Sequence, residues 1–369
     1  MQRLAGLRNF DWLIFLVVCL FLATGFFFVW SASSESFAFK QIIWIGVGVV
    51  VFSALLIVDY YSIGKISYIL YLIVLFCLFL VLLFGKTVYG AQRWLMVGTI
   101  SIQPSEMMKI ALVLVLSRYF VDKKSVSGFS NIIIPLVLTL IPMTLIMKQP
   151  DLGTSLILVP VFFSIMFIAG VKVRYLLTII AFTLSTIPFF WYFVLHAYQK
   201  VRILSFLWPD TVSSFGAGYH RIQSLITIGS GGSFGSGWGK GVQSQLNFLP
   251  QGHTDFIFSV IAEEWGFYRA GALLCLYVVF IACCIGIALN TRDPYGRLIV
   301  TGFTAMFAAQ ILINVAMTIG LAPITGLPLP FISYGGSSLI SSFIALSFMF
   351  NVRMRSRSRI ALANEEFYE

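Results

Sequence analysis

Unbroken apolar blocks constrain this chain more than any other feature of its sequence. A block of about 20 apolar residues is long enough for a helix to cross a hydrocarbon core of about 30 Å. Such blocks recur along 369 residues, of which 59% are hydrophobic and only 10% are charged. In a soluble domain, about a quarter of the residues are charged. The composition therefore excludes an ordinary soluble fold and predicts an all-α polytopic membrane protein.

The blocks predict about ten transmembrane helices within a single membrane domain, residues 1–369. The predicted spans are residues 12–31, 39–58, 65–84, 104–121, 130–147, 152–170, 174–195, 267–290, 297–320 and 331–352. An even number of spans places both termini on one side, and that side carries more Lys and Arg, including four Arg in the tail, residues 353–369. The positive-inside rule then predicts cytoplasmic termini.

Other compositional features point away from several classes of protein. The net charge of +10 does not indicate nucleic acid binding, because the basic residues lie at the ends of apolar blocks. All five cysteines lie inside apolar blocks, so we expect buried hydrophobic side chains, not disulfides or metal ligands. His253 has no partner at zinc-ligand spacing. A divalent cation with oxygen ligands, Mg²⁺ or Mn²⁺, is the alternative to zinc.

Two predicted extracytoplasmic loops are long enough to fold: residues 85–103 and residues 196–266, between helices 7 and 8. Long loops are usually functional. Residues 228–241 are rich in glycine but lack the sequence of a P-loop. The favoured interpretation is a flexible or tightly turning loop, and phosphate binding by its backbone N–H groups is the alternative. Downstream, the large loop is expected to form a re-entrant or interfacial helix.

Glu106 and Lys109 lie near the outer end of the fourth span. Charges within a membrane are costly and mark functional sites. The spacing of three residues places both side chains on one helix face, where they can pair. One interpretation is a structural ion pair between the two. The other is that Lys109 presents its charge to an anionic lipid head group.

Asp255 lies in the polar start of a stretch, residues 253–266, that precedes the eighth span. Thr254 or Asp255 is predicted to cap a helix start. Asp255 and Glu263 are separated by about 80° around such a helix, so both could face one cavity, with Glu264 directed elsewhere. The functional alternative for Asp255 is a general base at the outer membrane face.

Four blocks of sequence carry a resemblance to a known family. They are residues 90–94 with 103–109, residues 149–155, residues 250–264, and Asn314 with residues 320–338. Together they resemble the SEDS family of bacterial cell-wall polymerases (shape, elongation, division and sporulation proteins), over nearly the whole chain. Residues 243–250 are more similar to the elongation members than to the division members. Gln251 departs from the family, where many relatives carry Glu.

The resemblance implies a peptidoglycan glycosyltransferase of the bacterial cytoplasmic (inner) membrane. It would polymerise undecaprenyl-diphosphate-linked lipid II into β-1,4 glycan strands during cell elongation, by an inverting displacement with Asp255 as base. The expected substrate-binding residues are Arg93, Glu106, Lys109, Arg202, His253, Thr254, Glu263, Ser333 and Gly335. No organic cofactor is implied. Expected partners are membrane lipids, a class B penicillin-binding protein and the elongation machinery.

Two other functions stay open at this point. A lipid II flippase would use the same groove and the same membrane charges, but it would form no bond. A non-catalytic scaffold would recruit a class B penicillin-binding protein, and it would tolerate loss of Asp255. Chemistry on lipid II that is already presented outside the membrane discriminates between these functions.

Overall fold

The structure is a computed structural model that describes residues 10–88, 91–98, 100–123, 130–194, 197–207, 217–246 and 248–365. The first nine and the last four residues lie outside these ranges, as do parts of the loop predicted at residues 196–266. The side chain of Arg202 is also outside the described part, although its backbone belongs to a helix.

Helices account for most of the described chain. In order they are α1 (Trp12–Ala32), α2 (Glu35–Ile57), α3 (Tyr60–Lys65), α4 (Ser67–Phe84), α5 (Pro104–Asp122), α6 (Ser130–Lys148), α7 (Leu152–Ile168), α8 (Val173–Phe189), α9 (Ala197–Leu207), α10 (Ala217–Ser230), α11 (Val242–Gln245), α12 (Ile257–Asn290), α13 (Pro294–Thr318) and α14 (Gly336–Glu365). A π-helical turn, Phe190–Val194, follows α8.

Each of the ten predicted spans coincides with one of these helices, so the polytopic all-α prediction is confirmed. Among the described residues, seven helices are long and apolar enough to cross a membrane, and α7 and α8 are shorter apolar helices. The tenth, α5, carries four charged residues. Large apolar side chains on the outside of the bundle, such as Val50, Phe76 and Val278, are exposed as expected for contact with lipid.

The loop predicted at residues 85–103 contains a small sheet that the sequence did not reveal. Its strands are β1 (Lys86–Val88), β2 (Ala91–Val97) and β3 (Ile100–Ile102). They form an antiparallel meander in the order β1-β2-β3. The sheet, α9 to α11 and residues 320–335 lie at the same end of the bundle, which we call the loop face.

The last span begins later than predicted. Residues 331–335 precede α14, because Phe331 has φ +63° and the chain turns there before the helix starts at Gly336. The helix then continues through residues 353–365, which the sequence assigned to a tail.

Helix α5 lies at the centre of the bundle. It packs against α4, α6, α7, α13 and α14. Nearly every α5 side chain from Pro104 to Phe120 is buried, including Glu106 and Lys109. Because its neighbours shield it from lipid on all sides, this helix can hold polar and charged groups that an outer helix could not.

The glycine-rich stretch and helix α12 are in direct backbone contact. Gly266 interrupts the helix with φ 76° and ψ 179°, which separates residues 257–265 from the predicted span, residues 267–290. A Cβ atom at Gly266 would collide with the backbone of Phe234 and Gly235, and one at Gly231 would collide with the Ala262 carbonyl oxygen. The stretch therefore turns tightly against α12, as the favoured interpretation predicted.

Candidate active site

The turn that carries Asp255 is held through hydrogen bonds to three of its consecutive backbone carbonyl groups. The Tyr334 N–H donates to the His253 oxygen over 3.0 Å. The Ser333 hydroxyl donates to the Thr254 oxygen over 2.6 Å. The Asn314 side-chain amide donates to the Asp255 oxygen over 2.9 Å. Residues of the last sequence block therefore fix the backbone on which the Asp255 carboxylate is mounted, and that side chain itself is half-buried.

Gly326 lies directly beside the Asp255 carboxylate. Its φ is +74°, and a Cβ atom built there would lie 3.2 Å from Asp255 Oδ2. Glycine adopts this backbone conformation without steric cost. The glycine therefore permits both the turn of the segment 320–335 and its close approach to the carboxylate.

Helix α12 starts later than predicted, and the capping prediction is wrong. The residue at the N-cap is Phe256, which makes no side-chain capping bond, so neither Thr254 nor Asp255 takes that position. The Thr254 hydroxyl lies 3.0 Å from Gln251 Oε1 and 3.2 Å from the Gln251 carbonyl oxygen. Asp255 thus belongs to a turn, and its backbone is fixed by neighbouring segments.

Glu106 and Lys109 form the predicted ion pair inside the bundle. The Lys109 Nζ atom lies 2.9 Å from Glu106 Oε2, with side-chain exposures of 0% and 2%. Ser341 donates to the same Glu106 oxygen over 2.6 Å, and Lys109 donates to Gln310 Oε1 over 3.3 Å. Because Lys109 is completely enclosed, this geometry favours the structural interpretation over contact with a lipid head group.

Asp151 organises a second polar cluster, next to the sheet. Its buried carboxylate accepts hydrogen bonds from Gln103, Ser105 and Thr154 at 3.1, 3.2 and 2.9 Å. It also lies 3.7 Å from an Arg93 nitrogen, and the Arg93 side chain is 20% exposed. The guanidinium group donates to the carbonyl oxygens of Gln149 and Pro150 as well. Arg93 therefore joins β2 to the start of α7.

Glu263 binds the backbone of the large loop. Its carboxylate accepts hydrogen bonds from the Gln243 N–H over 2.8 Å and the Ser244 N–H over 3.1 Å. These donors lie at the start of α11, so Glu263 acts there as a cap from another segment. The neighbouring Glu264 accepts a hydrogen bond from Ser31.

The glycine-rich stretch uses several backbone N–H groups within the protein. The N–H groups of Ser236 and Gly237 donate to the carbonyl oxygens of Glu263 and Glu264, each over 3.0 Å. The Gly235 N–H donates to Gly231 over 2.8 Å. These three groups are therefore not available to cradle a phosphate.

The remaining predicted site residues lie at the loop face. Ser333 is buried, and its hydroxyl also accepts a hydrogen bond from the Leu329 N–H over 2.7 Å. Gly335 borders open space, because a Cβ atom there would meet only Ser338 Cβ, at 3.6 Å. His253 is half-buried, and burial lowers the pKa of its imidazole below the usual value. Arg202 lies in α9, on the same loop.

The described residues do not build a metal site from protein ligands alone. Within the described ranges, no three His, Cys, Asp or Glu side chains are placed to hold one ion. Mg²⁺ prefers several oxygen ligands and is often bound by one or two carboxylates together with substrate phosphates. The donor set around Asp255 fits only the second arrangement.

Sequence reasoning did not assign a role to three residues that organise this site. Asn314 and Gly326 fall in the last sequence block, and Asp151 falls in the block at residues 149–155. The signal was present, because a polar or glycine residue within an apolar segment of a membrane protein needs a partner or a conformational reason. The sequence pattern does not identify the carbonyl oxygen or the carboxylate that each of these residues contacts.

The pattern of the FtsW/RodA/SpoVE family, described as cell cycle proteins, matches residues 11–358. The chain belongs to this family. The match includes α1 to α13, most of α14 and all the site residues described above.

The term peptidoglycan glycosyltransferase recurs in the names of several curated relatives of this SEDS family member. The peptidoglycan glycosyltransferase RodA of Treponema pallidum is 32% identical, over 96% of this chain and 100% of its own length. The peptidoglycan glycosyltransferase MrdB of Escherichia coli is 36% identical, over 90% of each chain. Proteins named FtsW match at similar identity, 36–38%. Identity alone therefore does not separate elongation from division.

A solved structure supports the fold of this family member. It comes from a study described as the structural coordination of polymerisation and crosslinking by a peptidoglycan synthase complex. The matched chain is 31% identical, with a TM-score of 0.83, over 95% of this chain and 98% of the other.

Proposed function

We propose that this SEDS protein is a peptidoglycan glycosyltransferase that polymerises lipid II into β-1,4 glycan strands during cell elongation. The activity is the one named for the curated relatives, including RodA of Treponema pallidum. The observation that carries the proposal is the fixed Asp255 turn. Its three backbone carbonyl groups are bound by Asn314, Ser333 and Tyr334, while its carboxylate lies beside Gly326.

Asp255 is the proposed general base. Its carboxylate takes the proton of the acceptor's 4-hydroxyl group, and the oxygen attacks the anomeric carbon of the donor sugar. The bond between that carbon and the diphosphate oxygen breaks, and undecaprenyl diphosphate leaves with the bonding electrons. The donor is α-linked and the product is β-linked, so one displacement with inversion balances the reaction. A turn that holds the base in place lowers the entropic cost of this step.

The leaving diphosphate needs positive charge near it. Arg93, which is 20% exposed although paired with Asp151, and Arg202 are our proposed contacts. Lys109 is proposed to act indirectly, because its ion pair with Glu106 is enclosed in the bundle and joins α5 to Ser341 on α14. A divalent cation, Mg²⁺ or Mn²⁺, is proposed to associate mainly with the diphosphate.

The loop face is proposed to lie outside the cytoplasmic membrane of a bacterium, with both termini in the cytoplasm. The distribution of Lys and Arg in the sequence supports this orientation. A class B penicillin-binding protein of the elongation machinery is the proposed partner. The related peptidoglycan synthase complex, which coordinates polymerisation with crosslinking, supports it.

The test is polymerisation of purified lipid II by the purified protein in nanodiscs, with and without the transpeptidase partner. We expect glycan strands from the native protein and a loss of at least about a thousand-fold from Asp255→Asn, which keeps the size of the side chain but removes the base. Each reaction is repeated with Mg²⁺ and with EDTA. Glu35→Gln is a matched control, because Glu35 is an exposed carboxylate at the loop face.

Native turnover by folded Asp255→Asn would remove the base from this proposal. A native protein that binds lipid II and its partner but makes no strands would instead favour the flippase or the scaffold. Transport of lipid II between leaflets of a vesicle then separates these two functions.

A further inference from the structure

Three aromatic rings form a cluster on the α2 side of the Asp255 turn. The Phe37 ring lies 4.8 Å from the His253 ring and 5.1 Å from the Tyr334 ring, centroid to centroid. The His253 and Tyr334 rings are 5.9 Å apart. All three residues are half-buried, so part of each side chain faces open space. The Tyr334 N–H also holds the His253 carbonyl oxygen, which joins the cluster to the turn.

Lys40 places an ammonium group against this aromatic cluster. Its Nζ atom lies 5.5 Å from the centroid of the Phe37 ring, and its side chain is exposed. In the part of the chain that the structure describes, no carboxylate lies within ion-pair distance of Lys40. By contrast, Arg93 and Lys109 both have a carboxylate partner. The charge of Lys40 is therefore available to an anion at the end of the span, where a long lysine side chain reaches the interface.

The depth of Lys40 also suits a phosphate at the membrane surface. Helix α2 begins at Glu35 at the loop face, and Lys40 is five residues further along. At about 1.5 Å per residue, the Lys40 backbone lies about 7.5 Å below the start of the helix. The polar region on each side of a bilayer is about 5–8 Å thick. A start of α2 at the outer edge of this region would place the ammonium group in the layer in which lipid phosphates lie.

We propose that Lys40 and the rings of Phe37, His253 and Tyr334 form a subsite for the sugar diphosphate of a prenyl-linked substrate. The ammonium group contacts a phosphate oxygen through a charge-assisted hydrogen bond. The rings pack against the apolar face of the attached hexose, as aromatic side chains do in other binding sites. This inference rests on the proposed function, and it adds a contact on α2 to the contacts proposed for Arg93 and Arg202.

An ordinary phospholipid is the other source of a phosphate at this depth. It carries no hexose to cover the rings, so the aromatic cluster favours the prenyl-linked sugar. The two sources can be separated by experiment, because the bulk lipid can be made zwitterionic while lipid II is varied.

The test is the kinetics of lipid II polymerisation by Lys40→Ala in nanodiscs of phosphatidylcholine alone. We expect a rise in KM of about ten-fold with little change in kcat, the effect of losing one charge-assisted hydrogen bond. Lys40→Arg should retain most of the affinity, and Phe37→Leu should also raise KM. Lys148→Ala is the control, because Lys148 is an exposed lysine at the loop-face end of α6.

An unchanged KM in folded Lys40→Ala overturns the subsite. So does an effect confined to nanodiscs that contain phosphatidylglycerol, because the ligand is then bulk lipid. If the native protein makes no glycan, the proposed function fails. The subsite is then tested by measuring the direct binding of lipid II to each variant. Weaker binding by Lys40→Ala than by Lys148→Ala supports it, and equal binding overturns it.

Discussion

The side-chain amide of Asn314 lies 2.9 Å from the carbonyl oxygen of Asp255 and 2.6 Å from that of Leu327. Asn314 is fully buried on α13, so one rigid helix fixes both the Asp255 turn and the segment that contains Gly326. The carboxylate and the glycine beside it are therefore positioned by a common support.

Asn314→Ala should lower the rate of polymerisation while most of the protein stays folded. The substitution removes both hydrogen bonds and leaves two carbonyl oxygens near the site without this donor, at a cost of about 1–3 kcal/mol. We expect kcat to fall at least about ten-fold as the turn loosens. Turnover and thermal unfolding are measured beside Asn290→Ala, an exposed residue at the other end of the bundle. Equal effects of the two variants on kcat would contradict this role.

Gly326→Ala should impair activity more than Gly98→Ala does. Both glycines have positive φ, +74° and +64°, so both variants carry the strain of a left-handed alanine, about 1–2 kcal/mol. Only at Gly326 does the new methyl group also crowd the Asp255 carboxylate, because nothing lies within 4 Å at Gly98. The measurement is turnover of each variant at matched folded fraction. A similar loss for both would show that the contact with Asp255 does not matter.

Lys109→Met should destabilise the protein strongly, by about 3–5 kcal/mol, because it leaves the Glu106 carboxylate buried without its cation. The double variant Glu106→Gln, Lys109→Met should recover much of that stability, since no isolated charge is left. Thermal unfolding of the native protein, both single variants and the double variant gives the coupling between the residues. Additive effects would contradict a direct structural pair.

His253 should make stability sensitive to mild acid. Burial lowers the pKa of its imidazole in the folded protein, whereas the unfolded value is about 6.5. The folded state therefore binds the proton less readily. The stability contributed by the neutral ring is present above about pH 6.5 and is lost as the pH falls from there toward the folded pKa. Between pH 7.5 and 5.5, the melting temperature of the native protein should fall further than that of His253→Gln. Parallel falls would contradict this assignment.

The membrane architecture was predictable because burial in lipid acts on whole segments. Apolar blocks near 20 residues long report directly on spanning helices, and all ten were found. The spacing of Glu106 and Lys109 likewise predicted their ion pair, because pairing at this spacing depends only on helix geometry.

Features that depend on contacts between distant segments were not predictable. The sheet at residues 86–102 has short strands without a clear alternating pattern. The start of α14 depends on the left-handed conformation of Phe331. The role of Glu263 depends on an N–H group 20 residues away in the chain, and that of Asn314 on a carbonyl oxygen 59 residues away. No local pattern contains that information.

The central position of α5 also has a consequence for how the protein is made. Translocon insertion scales assign about 2.5–3.5 kcal/mol to a Lys or Asp at the centre of an isolated helix, and less toward its ends. Alone in lipid, α5 would meet a penalty of this kind at Glu106 and Lys109. In the finished bundle, it is shielded by α4, α6, α7, α13 and α14, of which all but α4 are synthesised later. We therefore expect α5 to be retained at the insertion machinery, or paired with α4, until its later neighbours arrive.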